Sequence, residues 1–374
     1  MRVLLVNHRF FPADGGTERW TLALGRALLR KGHGVTVLTQ DEPGAPARED
    51  MDGMEVHRIP MRKVGGFRVP RAYWRTLRNL DFDLLHMSGN RIWCADFYFP
   101  VAGIFDVPQV ITPHGFYQWE MDPSLQNRWY FGKYLPRALR AFDLYLALTE
   151  REKQQITSFG FPERRVRLVG EGIDLADLTR PAPPIHLRER FGFTRPHIAL
   201  YIGGLWENKR VDRLVRALAP LRDRVALAVG GKDLPGTRYD RAHVEALAKE
   251  LGVEVRFLGY LLHDEVRAAY REVDLYVQGS QYEGFGISLL EATASGLPFV
   301  AFEAGAASHL AEDGGGRVAR SVEEFTAHVR EVLDRPGLRQ QMSESAKRTA
   351  RKWDWDSVVD HYLSTYREAL ASGR

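Results

Sequence analysis

Short apolar runs of β-prone residues alternate with helical segments in both halves of this chain. Near the start, residues 3–6 form such a run, a loop containing Pro and Gly follows, and a helical pattern leads to a second run at 35–38. A strand, a helix and a second strand in this order predict a βαβ unit, in which the two strands lie parallel in one sheet. We therefore expect an α/β fold with parallel sheets.

The same alternation returns in the second half of the chain. Between the halves, the prolines of segment 180–185 are unsuited to a helix interior or a central strand, so the linker is predicted there. At 374 residues the chain also exceeds the size at which a single core keeps growing. We predict Rossmann-like domains at 1–180 and 181–354 and a final helix within 355–374. The strands predicted in the second domain are 198–202, 225–229, 255–258, 275–277 and 299–302.

Cysteine usage and charge limit the location and the partners of the chain. The single cysteine, Cys94, cannot form an intramolecular disulfide, and the run at 3–6 is too short for a signal-peptide core, so a cytoplasmic location is expected. Net charge is only +4, but segments 61–80 and 128–140 are basic and rich in aromatic residues. By charge alone, both nucleic acid and an anionic membrane suit these segments.

The most informative segment, 281–300, follows one predicted strand and precedes another. Glu283 lies in its loop, where Gly284 and Gly286 allow close approach to the backbone, and the helix that begins there carries Glu291. A helix N-terminus behind glycines binds anions, because unpaired N–H groups and the helix dipole point at the ligand. A diphosphate fits, with Glu283 facing a sugar and Glu291 binding ribose hydroxyls. Solvated glutamates beside an ordinary turn are the alternative.

Two further groups of residues follow predicted strands. Gly204, Lys209 and Arg210 come after the first strand of the second domain, where a lysine can neutralise a departing diphosphate. His114 follows a strand of the first domain and can contact a sugar or position a hydroxyl. A solvated lysine and a structural histidine are the competing interpretations. Because ligands of such sheets bind at the carboxyl ends of the strands, a cleft between the domains is the predicted site.

Together these groups resemble glycosyltransferase family 4, the retaining enzymes of GT-B architecture, over nearly the whole chain. The Glu-x7-Glu element formed by Glu283 and Glu291 is the most specific part. Other matching positions are residues 15–18, 32–35, 255–259, Tyr270, Asp274, Ser280, Ala292, 296–298 and 353–355.

The resemblance implies two facing Rossmann-like domains, with the cleft between them as the active site and the final helix packed on the first domain. It implies catalytic roles for Glu283, His114 and Lys209, with Glu283 near the hydroxyls of the donor sugar. The donor-binding residues that it implies are Gly15, Gly16, Gly204, Lys209, Arg210, Gly284, Phe285, Gly286, Ile287 and Glu291.

The implied reaction moves a hexose-type sugar from a UDP- or GDP-linked donor to a glycan, lipid-linked or small-molecule acceptor. Front-face departure is favoured over a covalent intermediate, and neither a cofactor nor a metal is expected. A lipid-linked acceptor would bring the chain to the inner face of the cytoplasmic membrane through 61–80 and 128–140, so a membrane rather than nucleic acid is the predicted anionic partner. The alternative for these segments is a solvated surface helix whose aromatic rings lie in the core of the first domain.

Two positions depart from the family pattern. Where the family usually has an arginine that contacts the diphosphate, this chain has Gly204, so a phosphate contact is missing unless Arg210 or another basic residue replaces it. Where the family often reads Gly-Gly-x-x-Glu, this chain has Gly305-Ala-Ala-Ser-His309, a change that bears on donor preference or efficiency.

Motifs typical of other functions are incomplete in this sequence or have a structural explanation. The Asp-x-Asp strings at 81–83 and 354–356 read as structural, since one precedes a strand and the other opens a helix. No Gly-x-Gly-x-x-Gly follows a strand as a dehydrogenase requires, and Gly231-Lys232 lacks the remainder of a P-loop. An epimerase or phosphorylase of the same fold, and a non-catalytic sugar-nucleotide binding protein, remain as alternatives.

Overall fold

The computed structural model describes residues 1–13, 15–64, 67–89, 98, 103, 105–116, 122 and 124–372. Cys94 lies outside these residues. The chain divides into two compact units: the first is Met1–Gly172 with Trp355–Arg374, and the second is Ile173–Asp354. The division therefore lies before the proline segment 180–185, which the sequence predicts to be the linker. Residues just after Gly172 are held by the second unit, where Arg267 Nη1 donates to the carbonyl oxygen of Asp177 at 2.8 Å.

Most strands of the sheet of the first unit are buried along most of their length, whereas the edge strand β3 has no buried residue. Its described strands lie in the order β10-β9-β8-β7-β1-β2-β4-β3, and all neighbours are parallel except the pair of β3 and β4. Strands β5 and β6 form a separate antiparallel hairpin. The strands are β1 (Arg2–Val6), β2 (Gly34–Gln40), β3 (Arg48–Met51), β4 (Met54–Ile59), β5 (Met61–Val64), β6 (Phe67–Pro70), β7 (Leu84–Ser88), β8 (Gln109–Thr112), β9 (Leu144–Ala147) and β10 (Val166–Leu168).

Helix α1 shows how the sequence pattern determines the helices of this unit. Its residues Trp20, Leu24 and Leu28 recur every four positions and are buried, which places one apolar face on the sheet. Gly15 is the cap, because its carbonyl oxygen already accepts from the N–H of Arg19 at 3.1 Å. The helices here are α1 (Gly16–Arg30), α2 (Tyr73–Asn79), α3 (Leu125–Trp129), a π-helical turn (Tyr130–Tyr134), α4 (Leu135–Leu139), α5 (Glu150–Ser158) and a 3-10 turn (Glu163–Arg165).

The second unit has one parallel sheet among its described residues. The five strands predicted here are confirmed, and the structure adds β16. The strand order is β13-β12-β11-β14-β15-β16, so the order reverses between β11 and β14. Ligands of such sheets usually bind at the carboxyl ends of the strands where the order reverses. The strands are β11 (His197–Ile202), β12 (Val225–Gly230), β13 (Val255–Gly259), β14 (Leu275–Gln278), β15 (Phe299–Phe302) and β16 (Gly316–Ala319).

Helices cover this second sheet. Helix α8 buries Val211, Leu214, Val215 and Leu218, which cluster with apolar residues of the strands. The helices are α6 (Leu175–Thr179), α7 (Leu187–Phe191), a 3-10 turn (Glu207–Lys209), α8 (Val211–Leu218), a 3-10 turn (Ala219–Leu221), α9 (Arg241–Leu251), α10 (His263–Arg271), α11 (Ile287–Ala294), α12 (Ala307–Ala311), α13 (Val322–Asp334), α14 (Pro336–Ala350) and a 3-10 turn (Arg351–Trp353).

The final helix, α15 (Trp355–Ala371), belongs to the first unit. Its Tyr362 hydroxyl lies 3.3 Å from Trp20 Nε1, and its Tyr366 hydroxyl lies 2.6 Å from His86 Nδ1. His86 is buried in β7, and burial lowers its pKa to about 3, so the ring is neutral and bridges the helix to the sheet. The prediction that the last helix packs on the first domain is confirmed.

Candidate active site

The reversal of strand order brings together two loops of the second unit. Lys209 follows β11 and Glu283 follows β14, and Nζ of the lysine lies 2.7 Å and 2.6 Å from the two carboxylate oxygens. Ser280 donates a further hydrogen bond to Oε1 of Glu283 at 2.6 Å. The loops are also joined near these side chains, since Asn208 Nδ2 donates to the carbonyl oxygen of Tyr282 at 3.0 Å.

The Lys209–Glu283 pair is mostly withdrawn from solvent. The lysine side chain is 22% exposed and the glutamate 10% exposed, so water screens their attraction only in part. Such a pair is stable only when its hydrogen bonds are satisfied, and the lysine and Ser280 supply them for the carboxylate. Both charged groups therefore have defined positions at the carboxyl edge of the sheet.

Helix α11 begins directly behind the Glu283 loop. Gly286 caps it with φ of 103°, a left-handed conformation that glycine adopts without steric cost. The N–H groups of Ile287 and Ser288 have no acceptor within the helix, as is usual at a helix start, whereas the N–H of Leu289 donates to the carbonyl oxygen of Gly286 at 3.0 Å. Phe285 is bonded to the segment that follows β15, because its carbonyl oxygen accepts a hydrogen bond from the N–H of Ala306 at 2.8 Å. This end of α11 can bind an anion with its N–H groups and its dipole.

The segment Gly305–His309, which stands where the family often has Gly-Gly-x-x-Glu, supports this loop. Gly305 has φ of 58°, and a Cβ there would lie 2.8 Å from Cβ of Glu283, so no side chain fits beneath the loop. His309 contacts the ring of Trp353 at 5.2 Å between centres, and Trp353 in turn lies 5.2 Å from the Phe285 ring.

Glu291 lies one turn into α11. Tyr270, which is buried on α10, donates its hydroxyl to Oε2 of Glu291 at 3.1 Å. The same hydroxyl lies 3.2 Å from the carbonyl oxygen of Ser288, so the ring is fixed against the helix. Glu291 is half-buried, which suits a carboxylate that accepts hydrogen bonds from a ligand hydroxyl.

Arg210 and Gly204 complete the loop after β11. Arg210 makes a bidentate ion pair with buried Asp212, at 2.9 Å from Nε and 3.0 Å from Nη2. This hydrogen bonding raises the pKa of Arg210 and fixes its guanidinium. A Cβ at Gly204 would lie 2.6 Å from the indole Nε1 of Trp206, so the indole occupies the space beside this glycine.

His114, in the first unit, follows β8 in a left-handed conformation with φ of 59°. Its Nε2 lies 3.0 Å from Oγ of Ser88, and its ring packs edge-on against Trp20 at 4.6 Å. Desolvation lowers the pKa of His114 to about 3, so the imidazole is neutral although part of it is exposed. Gly15 and Gly16, at the start of α1, are the other predicted residues of this unit.

Glu152 supports the turn that contains His114, a role that the sequence did not predict. Its two carboxyl oxygens accept the N–H groups of Gly115 at 2.5 Å and Leu148 at 2.7 Å. Burial raises the pKa of Glu152 to about 7, and it is the main cause of that shift. Ser88 and Trp20 were also missed as neighbours of His114. The sequence feature that could have indicated Ser88 is its position at the end of a buried strand.

Among the described residues, no group of three or more His, Cys, Asp or Glu side chains is arranged to hold a metal ion. Asp81 and Asp83 both pair with Arg2, and Asp356 pairs with Arg30 at 2.8 Å. No helix in the described part of the chain is long and apolar enough to cross a membrane.

Known proteins resemble this chain over its full length or over part of it. A GDP-mannose-dependent alpha-mannosyltransferase of Mycobacterium tuberculosis is 26% identical over 396 residues, covering 100% of this chain and 98% of that protein. A D-inositol 3-phosphate glycosyltransferase of Salinispora arenicola is 33% identical over 228 residues, covering 56% of this chain and 50% of that protein.

Solved structures show the same fold. Sucrose-phosphate synthase from Thermosynechococcus elongatus matches with a TM-score of 0.82 and 18% identity over 100% of both chains. Anabaena HepE in complex with UDP and glucose matches with a TM-score of 0.78 and 18% identity, covering 98% of this chain and 100% of that one.

Two family models match the two halves of the chain. The model described as Glycosyltransferase Family 4 matches residues 14–177, and the model described as Glycosyl transferases group 1 matches residues 186–349. Between them they account for most of the sequence. The chain therefore belongs to the group 1 glycosyltransferases of family 4 and has the GT-B fold.

Proposed function

We propose that the chain transfers a hexose-type sugar from a UDP- or GDP-linked donor to an acceptor with retention of anomeric configuration. The observation that carries this proposal is the position of Lys209 and Glu283 beside the N-terminus of α11. This arrangement combines a cation and unpaired N–H groups for a diphosphate with a carboxylate for sugar hydroxyls. The bound UDP and glucose of HepE support a sugar nucleotide as donor.

Front-face departure is the mechanism that fits these contacts. A double displacement needs a carboxylate free to bond to the anomeric carbon. Both oxygens of Glu283 are instead engaged by Lys209, and one also by Ser280. In the proposed step the bond from the anomeric carbon to the phosphate oxygen breaks while the bond to the acceptor oxygen forms on the same face. The acceptor proton passes to the departing phosphate, whose charge Lys209 and α11 stabilise.

Titration with UDP, GDP and ADP in the presence of a chelator tests the donor site. One nucleotide should bind selectively without metal, and Glu291→Ala should weaken it about tenfold, since the variant loses hydrogen bonds from a charged acceptor to the ribose. Isothermal titration calorimetry measures both. Absence of binding to all three would contradict the proposed donor site, and strict dependence on a divalent metal would contradict metal independence. Binding without turnover on a broad acceptor panel would favour a sugar-nucleotide binding protein.

We propose further that the acceptor is lipid-linked and is met at an anionic membrane. Leu125 is 81% exposed and Trp129, one turn later on α3, is 59% exposed, beside Arg128 and Lys133. Exposed apolar side chains flanked by cations suit the interface of an acidic bilayer.

Vesicle sedimentation tests this contact. At low salt the protein should bind vesicles that contain phosphatidylglycerol, and Trp129→Ala should weaken that binding about tenfold, because an interfacial tryptophan is lost. Neutral vesicles are the control. Equal partition of the protein into acidic and neutral vesicles would refute the proposal.

A further inference from the structure

A strained turn follows β8 in the first unit. His114 has φ of 59° and Gly115 has φ of 89°, so two successive residues adopt the left-handed conformation. Glycine adopts it without steric cost, whereas a histidine does so only under constraint. Such backbone strain persists where surrounding contacts impose it, and it is concentrated at functional sites. The position of His114 therefore depends on the contacts that hold this turn.

Glu152 provides one of those contacts from the first turn of α5. Strands β8 and β9 are parallel neighbours, so the loops that leave their carboxyl ends adjoin. Glu152 is 2% exposed, and its carboxyl joins the two loops. Its Oε1 accepts the N–H of Gly115 at 2.5 Å, and its Oε2 accepts the N–H of Leu148 at 2.7 Å. Both oxygens are therefore needed as acceptors at the same time.

Only the ionised form of Glu152 can accept both bonds. A carboxylate has acceptors on both oxygens, whereas protonation turns one oxygen into an O–H donor. No cation among the described residues pairs with Glu152, and burial raises its pKa to about 7. The described titratable groups on the elements around it are His114 after β8, Glu171 after β10 and Tyr362 on α15. Burial shifts the pKa of each of these three groups toward its neutral form, so none balances the charge of Glu152.

We propose that Glu152 is a positioning residue for sugar transfer, which as a carboxylate holds the Gly115 turn so that His114 meets a sugar hydroxyl. Trp20 and Ser88 contact the ring of His114, whereas Glu152 contacts the backbone of its turn. When Glu152 takes up a proton, one of its two N–H bonds is lost and the turn shifts. A small displacement of a group that orients a substrate is enough to lower the rate. This inference rests on the proposed function and adds the ionisation state that transfer requires.

The pH dependence of turnover tests this role. The rate is the release of nucleoside diphosphate from UDP-glucose or GDP-mannose, with water as the acceptor, in the wild type and in Glu152→Gln. Glutamine keeps the size of the side chain but has one acceptor oxygen and a donor in place of the other. At pH 8 the wild type should be about tenfold faster than the variant, the usual effect of losing one hydrogen bond. At pH 6 this ratio should fall to about twofold, because most of Glu152 is then protonated.

Stability should change in the opposite direction over the same pH range. Burial raises the pKa of Glu152 above its value in the unfolded chain, so only the folded protein takes up this proton as the pH falls from 8 to 6. Proton uptake by the folded state stabilises it. The urea midpoint of the wild type should therefore rise relative to that of Glu152→Gln while turnover falls. A residue that only maintained the fold would lose activity and stability together.

The matched control is Glu150→Gln, which changes an exposed glutamate in the same turn of α5 and should keep wild-type turnover at both pH values. An equal loss in Glu150→Gln and Glu152→Gln would overturn the inference, as would a ratio of wild type to Glu152→Gln that stays constant from pH 8 to pH 6. If Lys209→Met lowers turnover but Glu152→Gln does not, the proposed function stands and the role of Glu152 fails. If the wild type cleaves neither sugar nucleotide, the proposed function fails and this inference fails with it.

Discussion

Replacing Lys209 by methionine is expected to lower the rate of sugar transfer by about 100-fold or more, the usual cost of removing one donor that stabilises developing charge. The lysine lies at the carboxyl end of β11, where it can bind the departing diphosphate together with the start of α11. Methionine keeps the length of the side chain and removes the charge. Release of nucleoside diphosphate from the sugar nucleotide, with water as the acceptor, measures the rate.

The Glu283→Gln variant distinguishes the role of the glutamate from that of Lys209. Glutamine keeps the shape and the bond from Ser280, but it releases Lys209 from its counter-charge. We therefore expect diphosphate affinity to be retained or increased in this variant while turnover falls. Lys209→Met should lose both affinity and turnover. Wild-type turnover in Lys209→Met, with Lys249→Met as control, would exclude a catalytic role for this lysine.

The parts of the fold that the sequence predicts are those with a strong local pattern. Strands β11 and β12 are continuous apolar runs, and they form where they were expected. Strand β16 was missed because Gly316-Arg-Val-Ala319 lacks such a run. It becomes a strand by pairing with β15, a neighbour that local patterns cannot supply.

The same limit of local sequence patterns applies to the candidate site. Strand ends predict that Lys209 and Glu283 share one edge of the sheet. They do not predict that these residues, 74 positions apart, bind each other, because that depends on side-chain conformations and loop packing. Glu152 was missed for a similar reason. Its role comes from the N–H group of Gly115, 37 positions away, and no local motif marks it.

The final helix provides the second large effect. Trp355→Ala is expected to lower the free energy of unfolding by about 3–5 kcal/mol, the usual cost of truncating a buried tryptophan. Trp355 is 2% exposed at the start of α15 and packs on Gly172, where a Cβ would lie within 2.5 Å of its ring. Urea unfolding followed by circular dichroism measures the change.

Two further variants test whether the packing of Trp355 is the cause of this loss of stability. Trp129→Ala removes an exposed tryptophan of the same unit and should change stability by less than about 0.5 kcal/mol. Gly172→Ala adds a methyl group against the Trp355 ring and should cost about 1–3 kcal/mol by overpacking. If Trp355→Ala unfolds at the same urea concentration as Trp129→Ala, the contact contributes nothing. The other contacts of α15, which include the Tyr362 and Tyr366 hydrogen bonds and buried Val358, Val359 and Leu363, would then hold the helix in place.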